Sequence, residues 1–220
     1  MPFDHRIEDV AGLRTFYAEA HPGVKAKAID HVDAGARDFL ALATFAVLAT
    51  SGPHGGDASP RGGPPGFVAV LDDHRIAVGD LAGNRRLDSF ENLLANPRVG
   101  LLCVVPGMSE TLRVNGRASL TTDPAVLDAC AYDGTQPVVA LGIDVDEVYL
   151  HCAKAFRRSG LWNPESWPRA ADRPRAADIW KGHLKMEAPA EAIEADLEAG
   201  YAVTMWQPGG DDAPATTSAD

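Results

Sequence analysis

The chain has 220 residues, 45% of them hydrophobic and 23% charged, and a formal net charge of −11 at pH 7. This is the profile of an ordinary globular protein with enough chain to bury a sizeable core. The negative sign opposes nucleic acid and anionic membranes, whose binding leans on attraction between basic groups and phosphate.

The longest apolar run, FLALATFAVLAT at 39–50, falls short of the ~20 residues that cross a bilayer. The opening MPFDHRIEDV lacks the basic start and apolar centre of a secretory signal. Cys103, Cys130 and Cys152 are odd in number and far apart, so no disulfide framework is expected, and the reducing cytoplasm is the expected compartment.

In chain order, Ile7, Val10, Leu13, Phe16 and Tyr17 repeat at helical spacing over 7–20, and HPG at 21–23 ends that segment. Residues 33–43 read as a second helix capped by Asp33. The period then changes. TFAVLATS at 44–51 predicts a mostly buried strand, GPHGG at 52–56 a turn, and DASPR at 57–61 the returning strand. GFVAVLD and RIAVGD form a hairpin around Asp72–His74. A helix is expected over 84–97, from Leu87, Phe90, Leu93 and Leu94, with Pro97 past its end. RVGLLCVV and TLRVNGRASL are strands joined through PGMSE, and DPAVLDACAYDG is a short helix with Pro124 near its start. PVVALGIDVDEVYLHC supplies one or two strands, and helices follow near 175–187 and 189–200. Trp180 reads as core, in a helical pattern with Leu184. The polar tail QPGGDDAPATTSAD at 207–220 reads as disordered. Six or seven closely spaced strands with few βαβ units point to an antiparallel barrel.

Basic residues stand out against the acidic background. SPRGGPPGF at 59–67 holds a single charge, Arg61, among prolines and glycines. Gly62 and Gly63 allow close backbone approach to a ligand, and Pro60 stiffens the path. Arg85 and Arg86 follow Gly83–Asn84 where a helix should begin. Arginines there oppose the helix dipole unless an anion offsets them. The guanidinium fork suits phosphate. The plainer reading is a turn of chain whose Arg85 and Arg86 pair with Asp88 or Glu91. No Walker A loop, Rossmann fingerprint, HExxH or G-x-S-x-G is present. No metal site is expected: His151 and Cys152 point to opposite faces of a strand, and the other histidines lack ligand spacing.

Three segments, SPRGGPPGFVAVLDD, GNRRLDSFENLLANPRVGLLCVVPG and ETLRVNGRASL, together resemble a branch of the pyridoxamine 5′-phosphate oxidase-like, FMN-binding split-barrel superfamily, over about residues 35–162. The resemblance implies a mainly β fold: a six-stranded antiparallel Greek-key split barrel with N- and C-terminal helices. It implies one domain over 1–206, with helical extensions at 1–43 and 163–206. It also implies a homodimer with FMN in clefts at the interface. By the same resemblance, Arg61, Asn84, Arg85 and Arg86 hold the FMN phosphate. The backbone of Ser59, Pro60, Arg61, Gly62 and Gly63 positions the ring, and Ser109, Thr111 and Arg113 approach it, Arg113 from the partner chain. Lys154, Arg157 and Trp162 are candidate contacts across the dimer. The implied activity is two-electron or hydride transfer through flavin N5 to or from a small molecule. The alternative is a non-catalytic protein that binds flavin or haem. No Arg-x-His matching the B6 oxidases' substrate pair is found near the C-terminus, so pyridoxal-type substrates are disfavoured.

Overall fold

Alternation along the strands builds a seven-stranded antiparallel sheet that curls around one core. The computed structural model describes residues 3–53 and 55–209. In chain order the elements are α1 (Val10–Arg14), α2 (Pro22–Ala26), α3 (Ala34–Leu42), β1 (Phe45–Gly52), β2 (Gly55–Gly62), β3 (Val68–Val70), β4 (Arg75–Gly79), α4 (Asp88–Ala95), β5 (Arg98–Val104), β6 (Thr111–Thr121), α5 (Pro124–Ala129), β7 (Ala140–His151), α6 (Lys154–Ser159), α7 (Ala176–Leu184) and α8 (Ala190–Thr204). The sheet order is β2-β1-β5-β6-β7-β4-β3. It has seven strands where the resemblance implied six. Its two edges, β2 and β3, do not pair with each other, so the barrel stays open along one side.

Ala46 and Leu48 of β1, Leu101 and Cys103 of β5, Val114 of β6, Ile143 of β7 and Ile76 of β4 are buried in one cluster with Val68 of β3. Helix α3 begins where Asp33 accepts from the Ala36 amide at 2.8 Å, and its Ala36, Phe39 and Leu40 cap this core. Helix α4 buries Leu93 in the same cluster. Its Asn92 donates to Thr50 of β1 at 3.1 Å.

Several local readings change. The 7–20 helix shrinks to α1, none of whose residues is buried. The segment's apolar residues stay exposed, Val10, Phe16 and Tyr17 most of all; helical period without a well-buried face sustains little helix. HPG starts a helix rather than only ending one. His21 accepts from the Gly23 amide at 3.1 Å, and Pro22 takes the first position of α2. Trp180 and Leu184 are exposed, at 45% and 54%, against the expectation of core. The α7–α8 pair instead closes on a small cluster of its own around Ala177, Ala190 and Ile193. The tail is ordered at its start, since Pro208 bridges Leu81. Residues 210–220 and His54 lie outside the described residues.

At Asn115/Gly116 the pairing of β6 with β7 shifts by one residue in a β-bulge. A Cβ on Gly116 would sit 2.1 Å from the Asp144 carbonyl oxygen. Only glycine admits that backbone approach. Gly116→Ala is therefore expected to cost about 3 kcal/mol, the upper end for overpacking, read as a lowered urea midpoint. An unchanged midpoint would contradict this register.

Candidate functional site

The cleft lies at the open side of the barrel. Its volume is about 620 Å³, and it is lined by residues 57–62 of β2 with Gly63 just beyond, and by the run from Val78 of β4 to Phe90 of α4. It thus joins the two stretches singled out in the sequence, Ser59–Gly63 and Asn84–Arg86.

Strand register explains the orientation of Arg61. Ala46 lies opposite Arg61, and Leu48 opposite Ser59. Directly opposed residues share a sheet face, and Ala46 and Leu48 are fully buried. Ser59 and Arg61 therefore occupy the core-facing side of an edge strand at the rim of the barrel. Asp57 belongs to the same alternating row. Pro60 is tolerated because β2 is an edge. The Arg61 guanidinium donates to Ser59 Oγ and, at 2.8 Å, to the Pro60 carbonyl. Burial pulls its pKa down from the ordinary value, with Asp80 and Asp57 acting in the opposite direction.

The facing loop is conformationally strained. Arg85 and Leu87 both have positive φ, 56° and 58°, a region that costs a non-glycine residue roughly 1–3 kcal/mol. Asn84 Oδ1 accepts from the Arg86 amide at 3.1 Å, holding the turn. Helix α4 starts at Asp88, later than the sequence suggested, and its N-cap Leu87 supplies no capping side chain. First-turn amides without a cap are ready partners for an anion. Arg86 itself pairs with Asp88 at 2.7 Å, as the plainer sequence reading allowed. That pair is largely exposed, so water and salt screen it and a multiply charged ligand can compete for the guanidinium.

Three aspartates, Asp57, Asp80 and Asp88, line the cleft beside Arg61, Arg85 and Arg86. The site is a mixed-charge array rather than a basic patch. Asp57 also accepts from the buried Ser89 hydroxyl at 3.1 Å. Sequence reasoning missed Asp57 and Asp80. Alternation with Ser59 and Arg61 was a usable signal for Asp57; Asp80 had none beyond its place after an apolar strand.

The other sequence-derived candidates gather elsewhere. Arg113 pairs across the sheet with Leu102 and Tyr149, in the row of Val47 and Pro60. That row faces away from the core, so Arg113 and Arg61 lie on opposite sheet faces. Arg113 donates to the Tyr149 hydroxyl at 2.9 Å, and its guanidinium sits 5.5 Å from that ring's centre. Ser109 is half-buried and Thr111 buried nearby in the chain. Trp162 donates to the Met108 carbonyl at 2.8 Å and packs near Phe156. Lys154 and Arg157 are exposed on α6. None of these six lines the cleft within one chain. No group of His, Cys, Asp and Glu among the described residues has the arrangement of a metal site, and no helix among them is long and apolar enough to cross a membrane.

Burial raises the Asp80 carboxyl above its ordinary 3.8, with Arg61 pulling the other way. The folded chain then holds this proton more tightly than the unfolded chain. Its contribution favours folding below 3.8 and is lost as pH rises through the raised value. Removing the charge with Asp80→Asn should therefore help more at higher pH. The difference in urea midpoint, variant minus wild type, is expected to grow between about pH 3 and about pH 7. A flat difference would mean that Asp80 is not desolvated.

A family model described as pyridoxamine 5′-phosphate oxidase matches residues 32–152, more than half of the chain. No protein of curated function matches by sequence. Among solved structures, HupZ of Group A Streptococcus is 16% identical with a TM-score of 0.42, covering 52% of this chain and 89% of its own. General Stress Protein 26 of Bacillus anthracis is 17% identical, TM-score 0.41, covering 52% and 88%. An FAD-binding protein of Mesorhizobium loti is 18% identical, TM-score 0.36, covering 50% and 85%. With the family match running from Val32 through all seven strands to Cys152, the chain belongs to the pyridoxamine 5′-phosphate oxidase family.

Proposed function

We propose that this protein is an FMN-dependent oxidoreductase acting on a small molecule. The observation that carries the reading is the facing pair of segments: core-facing Ser59 and Arg61 across one cleft from the strained Asn84–Arg86 turn. A guanidinium held at a half-dry rim, a second pair of guanidiniums opposite and uncapped helix amides together suit a phosphate monoester. In this reading Arg61, Asn84, Arg85 and Arg86 hold the phosphate, and the backbone of 59–63 orients the ring. Bound FMN supplies two-electron chemistry at flavin N5. The chain's own part is to bind, orient and control access.

Family membership supports a flavin over an unrelated ligand. Among the described lining residues, no histidine or cysteine and only Met205 is offered as a soft axial ligand, so the cleft favours FMN over haem. We place the work in a homodimer, where Ser109, Thr111, Arg113, Lys154, Arg157 and Trp162 of one copy approach the other's cleft. None of the six lines the cleft of its own chain, and Arg113 lies on the opposite sheet face from Arg61, so a second copy is the economical way to join the two groups.

Titration of the purified protein with FMN, followed by flavin fluorescence, tests the reading. Arg61→Ala is expected to weaken binding about tenfold to a hundredfold, the loss of a charge-assisted hydrogen bond. A colourless protein that takes up no FMN would sink the proposal. Reduction of the loaded protein by a nicotinamide donor, then reoxidation by candidate substrates, separates enzyme from carrier. Once a substrate is found, Lys154→Ala should raise its KM while FMN stays bound; released flavin would reassign Lys154 to the cofactor.

A further inference from the structure

Beyond α8 the chain returns over the cleft. Met205, Trp206 and Gly209 line it together with β2 and the 78–90 run. Backbone bonds hold this strap in place. The Ala82 amide donates to the Gln207 carbonyl at 2.9 Å, and the Gly209 amide to the Asp80 carbonyl at 3.2 Å. Leu81 and Pro208 form an antiparallel bridge between them. The fit at its end is close: a Cβ on Gly209 would lie 2.2 Å from Asp80 Oδ2. Glycine lets the strap reach the carboxylate that interacts with Arg61.

Trp206 is the informative residue. One side of its ring rests near Tyr132, centroids 5.2 Å apart, yet the residue keeps 47% of its surface exposed. A large flat side chain left half open at the mouth of a polar cleft has a face to give to a planar ligand. Phe90 is the other aromatic lining residue, and it is built into α4. In this position Gln207 Oε1 is buried without a hydrogen-bond partner among the described residues, which weakens the strap's own hold. A ligand that touches Trp206 only when the strap is down must stabilise the closed strap in return.

From this arrangement we infer that residues 205–209 are a built-in cover for a planar aromatic ligand, with the Trp206 indole as its stacking wall. The inference rests on the flavin reading and deepens it. Nothing in the local sequence of 205–209 announces it; the long-range pairing with Asp80–Ala82 does.

The test compares wild type, Trp206→Ala and Trp206→Phe by FMN titration, with amide exchange at Ala82 and Gly209 as a second readout. Trp206→Ala is expected to raise the Kd about tenfold, and Trp206→Phe to stay within about threefold of wild type. Saturating FMN should slow exchange of both amides about tenfold in the wild type, and this slowing should vanish in Trp206→Ala. A Trp206→Ala Kd within about twofold of wild type, or amide exchange indifferent to FMN, overturns the cover. If Arg61→Ala loses FMN while Trp206→Ala keeps wild-type affinity, the flavin reading stands and the cover alone falls. If the wild type takes up no FMN, both fall together.

Discussion

A guanidinium on the core side of an edge strand is the constraint on which the site depends. Arg61 shares its row with Ala46, Cys103 and Leu112, three of the most buried positions in the sheet. A charge in such a row is tolerable only where the barrel fails to close, because sealing it in would desolvate it without an adequate partner. The unpaired edges β2 and β3 are therefore linked to the placement of this charge. The open side leaves Arg61 within reach of solvent, and the polar row Asp57, Ser59, Arg61 occupies what would otherwise be core-facing apolar positions.

The same desolvation acts on both signs of charge. It lowers the pKa of Arg61 and raises that of Asp80, and each partly relieves the other. With three arginines and three aspartates around it, the cleft does not attract anions by bulk potential, and the strongly negative chain does not either. The proposed phosphate binding would therefore rest on geometry: the Arg61 fork held by Ser59 and the Pro60 carbonyl, a strained turn at Arg85 and Leu87, and helix amides without a side-chain cap. The exposed Arg86–Asp88 pair is the weakest of these ties and the one a ligand exchanges most readily.

Strand alternation also divides the chain's basic groups. Arg61 faces inward at the rim, while Arg113, stacked on Tyr149 beside Lys27, faces outward. Side chains on opposite faces of one sheet do not converge without a large change of backbone. In the homodimer proposed above a second copy would bring the two groups together without such a change, which is why dimer formation and cofactor binding belong to one proposal.

Signals carried by a few neighbouring residues were legible in the sequence. Asp33 capping α3, Pro124 opening α5, the turn at Asp72–His74 and the strands around Leu48, Leu101 and Val114 each follow from period and turn chemistry. So were the arginines at 61, 85 and 86, because charge in a Pro/Gly stretch and at a helix start conflicts with local preference. What the sequence could not supply was decided by residues far apart in the chain. Whether the apolar period over 7–20 or the Trp180–Leu184 face is buried depends on the rest of the molecule, and both stay exposed. Trp206 joins the cleft only through pairing of 80–82 with 207–209, and the open edge appears only through sheet order. Local dihedral preference and alternation act within a few residues, whereas burial and strand pairing are settled by the whole chain at once.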